Sequence, residues 1–168
     1  MQDVREKKAT EAITWLEQQG AQLIPPSIPG NNGATLLHTV RLAFRHIGPE
    51  ATKALGPHLT ALPALQALFL ANNELGVEGA KALAPHLAAM PNLQALGLQS
   101  NDIGPEGAAA LAPHLSTLTD LLTLSLEANG IGPEGAKALG PSLATLTALQ
   151  GLGLQVRVQC FPQSLCYL

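Results

Sequence analysis

The amino-acid sequence predicts an α/β solenoid, in which a unit of one strand and one helix is repeated along the chain. Three closely similar segments begin at Leu65, Leu93 and Leu121, so the period is 28 residues. A fourth, more divergent unit begins at Leu37, and the opening strand of a fifth begins at Leu149. A fixed period of this length indicates stacked structural units, because one such unit cannot bury its own apolar face.

The first half of each unit predicts a β-strand. In the unit that begins at Leu65, Leu68 and Leu70 alternate with Ala67 and Phe69. Successive side chains of a strand point to opposite faces, so this alternation predicts one buried face and one open face.

The second half of each unit predicts an α-helix. Ala80, Leu83 and Leu87 are spaced so that they share one helix face, which we expect to be buried. Pro105 and Pro133 suit the first helical position, because the N–H that proline lacks has no intrahelical partner there.

A second set of prolines lies deeper in the helical half. Proline removes a helix hydrogen bond and clashes with the preceding turn. We therefore expect a kink or a break in each helix at Pro57, Pro85, Pro113 and Pro141.

Strands and helices that alternate in tandem predict a parallel sheet with right-handed crossovers. Neighbouring strands lie about 4.8 Å apart, whereas neighbouring helices lie about 8–10 Å apart. This mismatch bends the stack, so we expect a horseshoe-shaped arc with strands on the concave face and helices on the convex face.

The pattern L-x-x-L-x-L-x-x-N-x-L/I in the first half of each unit resembles the long, ribonuclease-inhibitor type of leucine-rich repeat. The resemblance covers residues 37–154. Similar repeats occur in ribonuclease inhibitor, NOD-like receptors and Ran GTPase-activating proteins, which use the scaffold to hold partner proteins. The resemblance implies a structural ladder of buried amides at Asn73, Asn101 and Asn129. Arg45 and Arg157 take this position in the terminal units.

The resemblance divides the chain into an N-terminal cap of residues 1–36, repeats over residues 37–154 and an atypical tail of residues 155–168. The tail is rich in apolar residues, has no charge after Arg157 and has no counterpart in the repeats. Two interpretations stay open: it folds over the last strand as a cap, or it is a foreign ending on a truncated array. The second interpretation predicts an exposed apolar end and self-association.

The N-terminal cap is predicted to contain an amphipathic helix over residues 3–19, followed by an irregular connection. Gly20 is a natural stop for this helix. Trp15 is interpreted as a contact between the cap and the repeats rather than as part of a ligand site.

Composition and charge argue against several classes of function. The formal net charge of −3 and the pI of about 5.9 do not suit a nucleic-acid-binding protein. No stretch approaches the roughly 20 apolar residues of a membrane helix, and the N-terminal segment is too polar for a signal peptide. Cys160 and Cys166 lie in the tail and do not form a disulfide framework. We therefore expect a cytoplasmic protein that binds neither nucleic acid nor a membrane.

One stretch, residues 130–135, matches the G-x-G-x-x-G pattern of dinucleotide-binding loops. The position of Gly130 is His46, Glu74 and Asp102 in the other units, so the match arises at a variable position. We interpret it as coincidental, and we expect no cofactor.

A column of histidines recurs at the repeat period, at His58, His86 and His114. Helices about 8–10 Å apart do not bring a full set of metal ligands to one point, so we expect surface or packing roles for these residues. No signature of an enzyme active site occurs, so no catalytic or metal-binding residue is predicted.

The strand positions that alternate with the buried leucines are predicted to form the docking surface for a protein partner. Most of them are small and neutral. The exceptions give the candidate contact residues Arg41, Phe44, Arg45, Phe69, Gln99 and Glu127. Arginine and aromatic residues form most binding hot spots. In an alternative interpretation, Phe44 and Phe69 merely fill space beneath the N-terminal cap.

The sequence thus favours a scaffold that binds a protein partner on its concave face. A Ran-type GTPase-activating protein is one alternative, although such proteins have more repeats and a strongly acidic tail. A non-catalytic fragment of a longer repeat receptor or effector is the other.

Overall fold

A computed structural model describes residues 2–24, 38–42, 46–62 and 64–154. Strands and helices alternate along these segments, in the order α1 (Gln2–Gln18), β1 (Gln22–Ile24), β2 (Thr39–Arg41), α2 (Gly48–Thr60), β3 (Ala67–Phe69), α3 (Gly76–Leu87), β4 (Ala95–Gly97), α4 (Gly104–Leu115), β5 (Thr123–Ser125), α5 (Gly132–Leu143) and β6 (Gly151–Gly153). The predicted α/β repeat solenoid is confirmed.

The strands form one six-stranded sheet in chain order. β2 to β6 are parallel, and residues one period apart lie side by side, as Leu68 and Leu96 do. β1 was not predicted from the periodicity. It pairs with β2 in the antiparallel sense, with Leu23 beside Val40. An edge strand presents unpaired backbone groups, and β1 covers those at the N-terminal edge of the parallel strands.

The core lies between the sheet and the helices. One residue of each of β2 to β5 is fully buried there, namely Val40, Leu68, Leu96 and Leu124. The equivalent helix positions are also fully buried, namely Leu55, Leu83, Leu111 and Leu139. Burying one leucine side chain contributes about 1.5–3 kcal/mol, so these columns supply much of the stability of the stack.

Of the kink or break expected at the second set of prolines, the break is wrong, and the kink stays a prediction. α3 continues past Pro85 to Leu87, and α4 continues past Pro113 to Leu115. Each proline lies two or three residues before the C-terminal end of its helix. Pro105, by contrast, lies in the first turn of α4, as predicted.

Neighbouring helices approach closely at a column of glycines near their N-terminal ends. A Cβ atom added to Gly135 would lie 3.0 Å from the Cα of Pro105 on the preceding helix and 2.5 Å from Cγ2 of Ile131. A Cβ added to Gly107 would lie 3.1 Å from the Cβ of Ala80. Only glycine permits this helix spacing without a shift of the neighbouring atoms.

Left-handed backbone conformations recur in the loops between strand and helix. Asn72 has a φ of 57°, Glu74 of 56° and Gly76 of 62°. Two periods later, Ala128 takes the position of Asn72 with a φ of 55°, and Gly130 takes the position of Glu74 with a φ of 63°. Glycine adopts this region without the steric cost that other residues meet. Within residues 130–135, Gly130 and Gly132 therefore have a conformational explanation, and Gly135 is explained by the close approach of the helices.

The N-terminal helix packs on the first repeat. Ala9, Ala12 and Leu16 of α1 are buried in the common core. α1 ends at a Schellman motif, in which the N–H of Gly20 donates to the carbonyl of Glu17 (2.8 Å) and the N–H of Ala21 donates to that of Leu16 (2.9 Å). Gly20 has a φ of 75° there, so the predicted stop is confirmed.

The last described strand is less well covered than the inner ones. Leu152 of β6 is 45% exposed, whereas Leu124, one period earlier, is fully buried. The two interpretations of the tail concern residues 155–168, which lie outside the described residues.

Candidate interaction surface

The asparagine column joins consecutive repeats through buried hydrogen bonds. The side-chain amide of Asn101 donates to the carbonyls of Leu70 (2.8 Å), Leu98 (2.9 Å) and Gln99 (3.2 Å). Its Oδ1 accepts from the backbone N–H of Asn73 (3.0 Å). One asparagine therefore satisfies backbone groups of its own loop and of the preceding loop.

The same arrangement is present at the neighbouring positions. Asn129 donates to the carbonyl of Leu98 (2.8 Å) and accepts from the N–H of Asn101 (2.8 Å). Asn73 donates to the carbonyl of Leu42 in the preceding unit. All three asparagines are fully buried or nearly so. Their amides are therefore occupied within the fold and are not presented to a ligand.

The sheet face that points away from the helices is called the open sheet face here. Its central row crosses β2 to β6 and consists of Arg41, Phe69, Gly97, Ser125 and Gly153. A second row lies two residues further along the chain and includes Ala71, Gln99 and Glu127. These are the positions that alternate with the buried leucines.

Arg41, Phe69 and Gly97 form a continuous cluster across three strands. The guanidinium carbon of Arg41 lies 4.8 Å from the centre of the Phe69 ring, a cation–π contact. The ring in turn lies across Gly97, because a Cβ there would be 2.7 Å from Cδ1 of Phe69. Arg41 is nevertheless exposed. The cluster is thus a charged group held in place by an aromatic ring over bare backbone.

Gln99 and Glu127 lie on the second row. Oε1 of Gln99 is buried beside Gly97, at 3.0 Å from the position of a Cβ there, and accepts no hydrogen bond. The carboxylate of Glu127 lies across Gly153, where it occupies the space that a Cβ would need. The side chains of Gln99 and Glu127 therefore both lean toward the central row.

The structure places the predicted contact residues in two groups. Arg41, Phe69 and Gln99 come together over β2 to β4, whereas Glu127 lies at the opposite side, over β6. Phe44 and Arg45 lie outside the described residues. Sequence reasoning missed the part played by Gly97 and Gly153. Their signal was the absence of a side chain at positions where neighbouring repeats have one.

Ion pairs among the described residues lie on the helices and the adjoining loops. Lys53 pairs with Glu50 at 2.7 Å, and Lys81 pairs with Glu78 at 2.8 Å. The hydrogen bond with Glu50 raises the pKa of Lys53, and the hydrogen bond with Lys81 lowers the pKa of Glu78. These side chains are about half exposed or more, so the pairs add little to stability.

Two of the three column histidines make packing contacts. His58 stacks on Trp15, with ring centres 4.4 Å apart and planes 13° from parallel, so Trp15 does join the N-terminal helix to the repeats. His86 lies across Gly56 of the preceding helix. Across the described part of the chain, no three His, Cys, Asp or Glu side chains are grouped to hold a metal ion.

Comparison with known families identifies the repeats. The leucine-rich repeat family matches residues 61–84, 89–112 and 117–140. These three segments therefore match the leucine-rich repeat, and they recur at the 28-residue period. Comparison with curated proteins found no match to the chain. No helix in the described residues is long and apolar enough to cross a membrane.

Proposed function

We propose that the chain is a non-catalytic scaffold that binds a partner protein on the open sheet face. Leucine-rich repeats generally mediate protein–protein interactions, and the proteins that contain them are typically non-enzymatic scaffolds. The observation that carries the proposal is the cluster of Arg41 on Phe69 over Gly97. Arginine and aromatic side chains are enriched in hot spots, and the contact with the ring orders Arg41 before a partner arrives.

The structure of the repeats supports the choice of face. On the helix side, Lys53 pairs with Glu50 and Lys81 pairs with Glu78. The asparagine ladder is buried and has internal partners. On the open sheet face, the exposed Arg41 and the half-buried Phe69 lie beside small residues such as Gly97 and Ser125.

The test is quantitative affinity capture with the recombinant chain, followed by measurement of the affinity for the captured protein. The Arg41→Ala/Phe69→Ala double variant should weaken binding by about tenfold or more, because it removes both candidate hot-spot side chains. Lys53→Ala, on the helix side, should bind as the unchanged chain does. Circular dichroism establishes that each variant is folded. Unchanged affinity in a folded double variant would refute the proposal.

The Ran-type GTPase-activating alternative predicts a different readout. A chain of that class should stimulate GTP hydrolysis by its small GTPase, which a simple binding scaffold does not do. The alternative of a fragment depends on residues 155–168 and is decided by protease sensitivity of the tail. The ribonuclease-inhibitor type of the repeats and a cytoplasmic location belong to the same proposal. They are supported by the length of the repeat and by the absence of cysteine from residues 1–159.

A further inference from the structure

The open sheet face carries two opposite charges at its two sides. The guanidinium of Arg41 lies over Phe69, and the carboxylate of Glu127 lies over Gly153. Within residues 2–24, 38–42, 46–62 and 64–154, neither group has an ion-pair partner; the ion pairs there join other residues. Among the described residues, both groups therefore lack a counter-charge that a partner could supply.

The surface between the two charges carries only small side chains. The Phe69 ring lies over Gly97 and the Glu127 carboxylate lies over Gly153, so Ser125 is the residue of the central row between them. The ring and the carboxylate each lean onto the following strand, so the charges are two to three strands apart. With about 4.8 Å between strands, the separation is about 10–14 Å.

An extended chain matches this separation. It advances about 3.3 Å per residue, so residues about four apart are roughly 13 Å apart and point to the same side. The residue midway between them points to that side too, and would lie over Ser125, beside the Phe69 ring.

We infer that the open sheet face binds an extended segment of a partner protein in which an acidic and a basic residue, about four positions apart, flank a small residue. The acidic group pairs with Arg41, and the basic group pairs with Glu127. This inference rests on the proposed function and adds the chemistry of the partner segment. Charge complementarity of this kind sets specificity and orientation more than total affinity.

The probe is a phage-displayed library of random linear peptides, selected on the full chain. The unchanged chain should enrich peptides with opposite charges at the stated spacing. Arg41→Glu should enrich peptides with two basic residues, and Glu127→Lys should enrich peptides with two acidic residues. These outcomes do not depend on the direction in which a peptide lies.

Matched controls make the same charge changes on the helix side. Lys53→Glu and Glu50→Lys should each select the same peptides as the unchanged chain. A synthetic peptide from the first selection should bind the Arg41→Glu variant about tenfold more weakly, and exchange of its acidic residue for lysine should restore binding. Circular dichroism and the denaturation midpoint show that the variants are folded.

The inference is overturned if no peptide is enriched, if the charges lack the spacing, or if the reversals at Arg41 and Glu127 leave the selected peptides unchanged. The proposed function has a separate outcome. If Arg41→Ala/Phe69→Ala abolishes binding of a captured protein while the charge reversals alter no peptide selection, the scaffold proposal stands and the partner chemistry inferred here is wrong.

Discussion

Replacement of Asn101 by alanine tests the role of the asparagine ladder in stability. The change removes three donated hydrogen bonds and the acceptor of the Asn73 N–H. The three carbonyls keep a second donor, because Leu70 also accepts from Asn73, Leu98 from Asn129, and Gln99 from the N–H of Asn72. The N–H of Asn73 loses the acceptor that Asn101 supplies.

The expected loss follows from these partners. A buried N–H without an acceptor costs about 1–3 kcal/mol, and each weakened carbonyl adds a few tenths to about 1 kcal/mol. Asn101→Ala should therefore lower the free energy of unfolding by about 3 kcal/mol, a large part of the 5–15 kcal/mol typical of a domain. Denaturant unfolding followed by circular dichroism measures this loss.

Gln94→Ala is the matched control, because its side chain is exposed in a loop of the same unit. It should change the free energy of unfolding by no more than about 0.5 kcal/mol. A loss below about 1 kcal/mol for Asn101→Ala would contradict the stabilising role of the ladder. It would mean that water or a neighbouring group takes over the hydrogen bonds of Asn101.

Asn101→Asp tests the accepting oxygen of this side chain separately from its donating amide group. The aspartate keeps an oxygen for the N–H of Asn73 but turns a carboxylate toward three carbonyl oxygens. Burial among carbonyls disfavours the charged form and raises the pKa of that carboxyl. The variant should thus be least stable at neutral pH and should gain stability relative to Asn101→Ala as the pH falls and the acid is protonated. Denaturation midpoints of both variants at several pH values measure this difference.

Three further changes have defined outcomes. Ala128→Gly should raise the free energy of unfolding by about 1 kcal/mol, because Ala128 holds a φ of 55°; an unchanged denaturation midpoint would contradict this. Gly135→Ala should lower the free energy of unfolding by about 1–3 kcal/mol, because α4 and α5 approach closely there. Gly140→Ala should raise it by about 0.5–1 kcal/mol, because a Cβ at Gly140 would have no atom within 4 Å. Equal effects of the two changes would be inconsistent with that packing. Lys81→Met should raise the pKa of Glu78 toward its ordinary 4.5 in an NMR titration, and a pKa that does not move would exclude the pair. The contribution of this pair to stability is present above pH 4.5 and is lost as the pH falls through the lowered pKa of Glu78.

Periodicity was a strong guide to the elements of the repeats because each signal is local. Alternation around Leu68 and helical spacing around Leu83 depend only on which side chains face the core. The proline column was misjudged for the same reason. The sequence shows that Pro85 lies in the helical half, but how near it lies to the helix end depends on where α3 stops.

The open sheet face shows the limit of sequence reasoning. The types of residue at Arg41, Phe69 and Glu127 were evident from the strand pattern. Their arrangement was not, because long side chains lean onto the neighbouring strand wherever that strand has a glycine. The sequence of one repeat does not show where the next repeat lacks a side chain.

Sequence alone was enough to predict the period, the alternation of strand and helix, and the positions of the ladder asparagines, since these follow from a pattern that returns every 28 residues. The three-dimensional structure was needed to show that β1 covers the first edge in the antiparallel sense, that Trp15 stacks on His58, and that the charges of the open sheet face stand apart. The physical reason is that these features are contacts between segments with different sequences. Periodicity reports only what neighbouring repeats have in common.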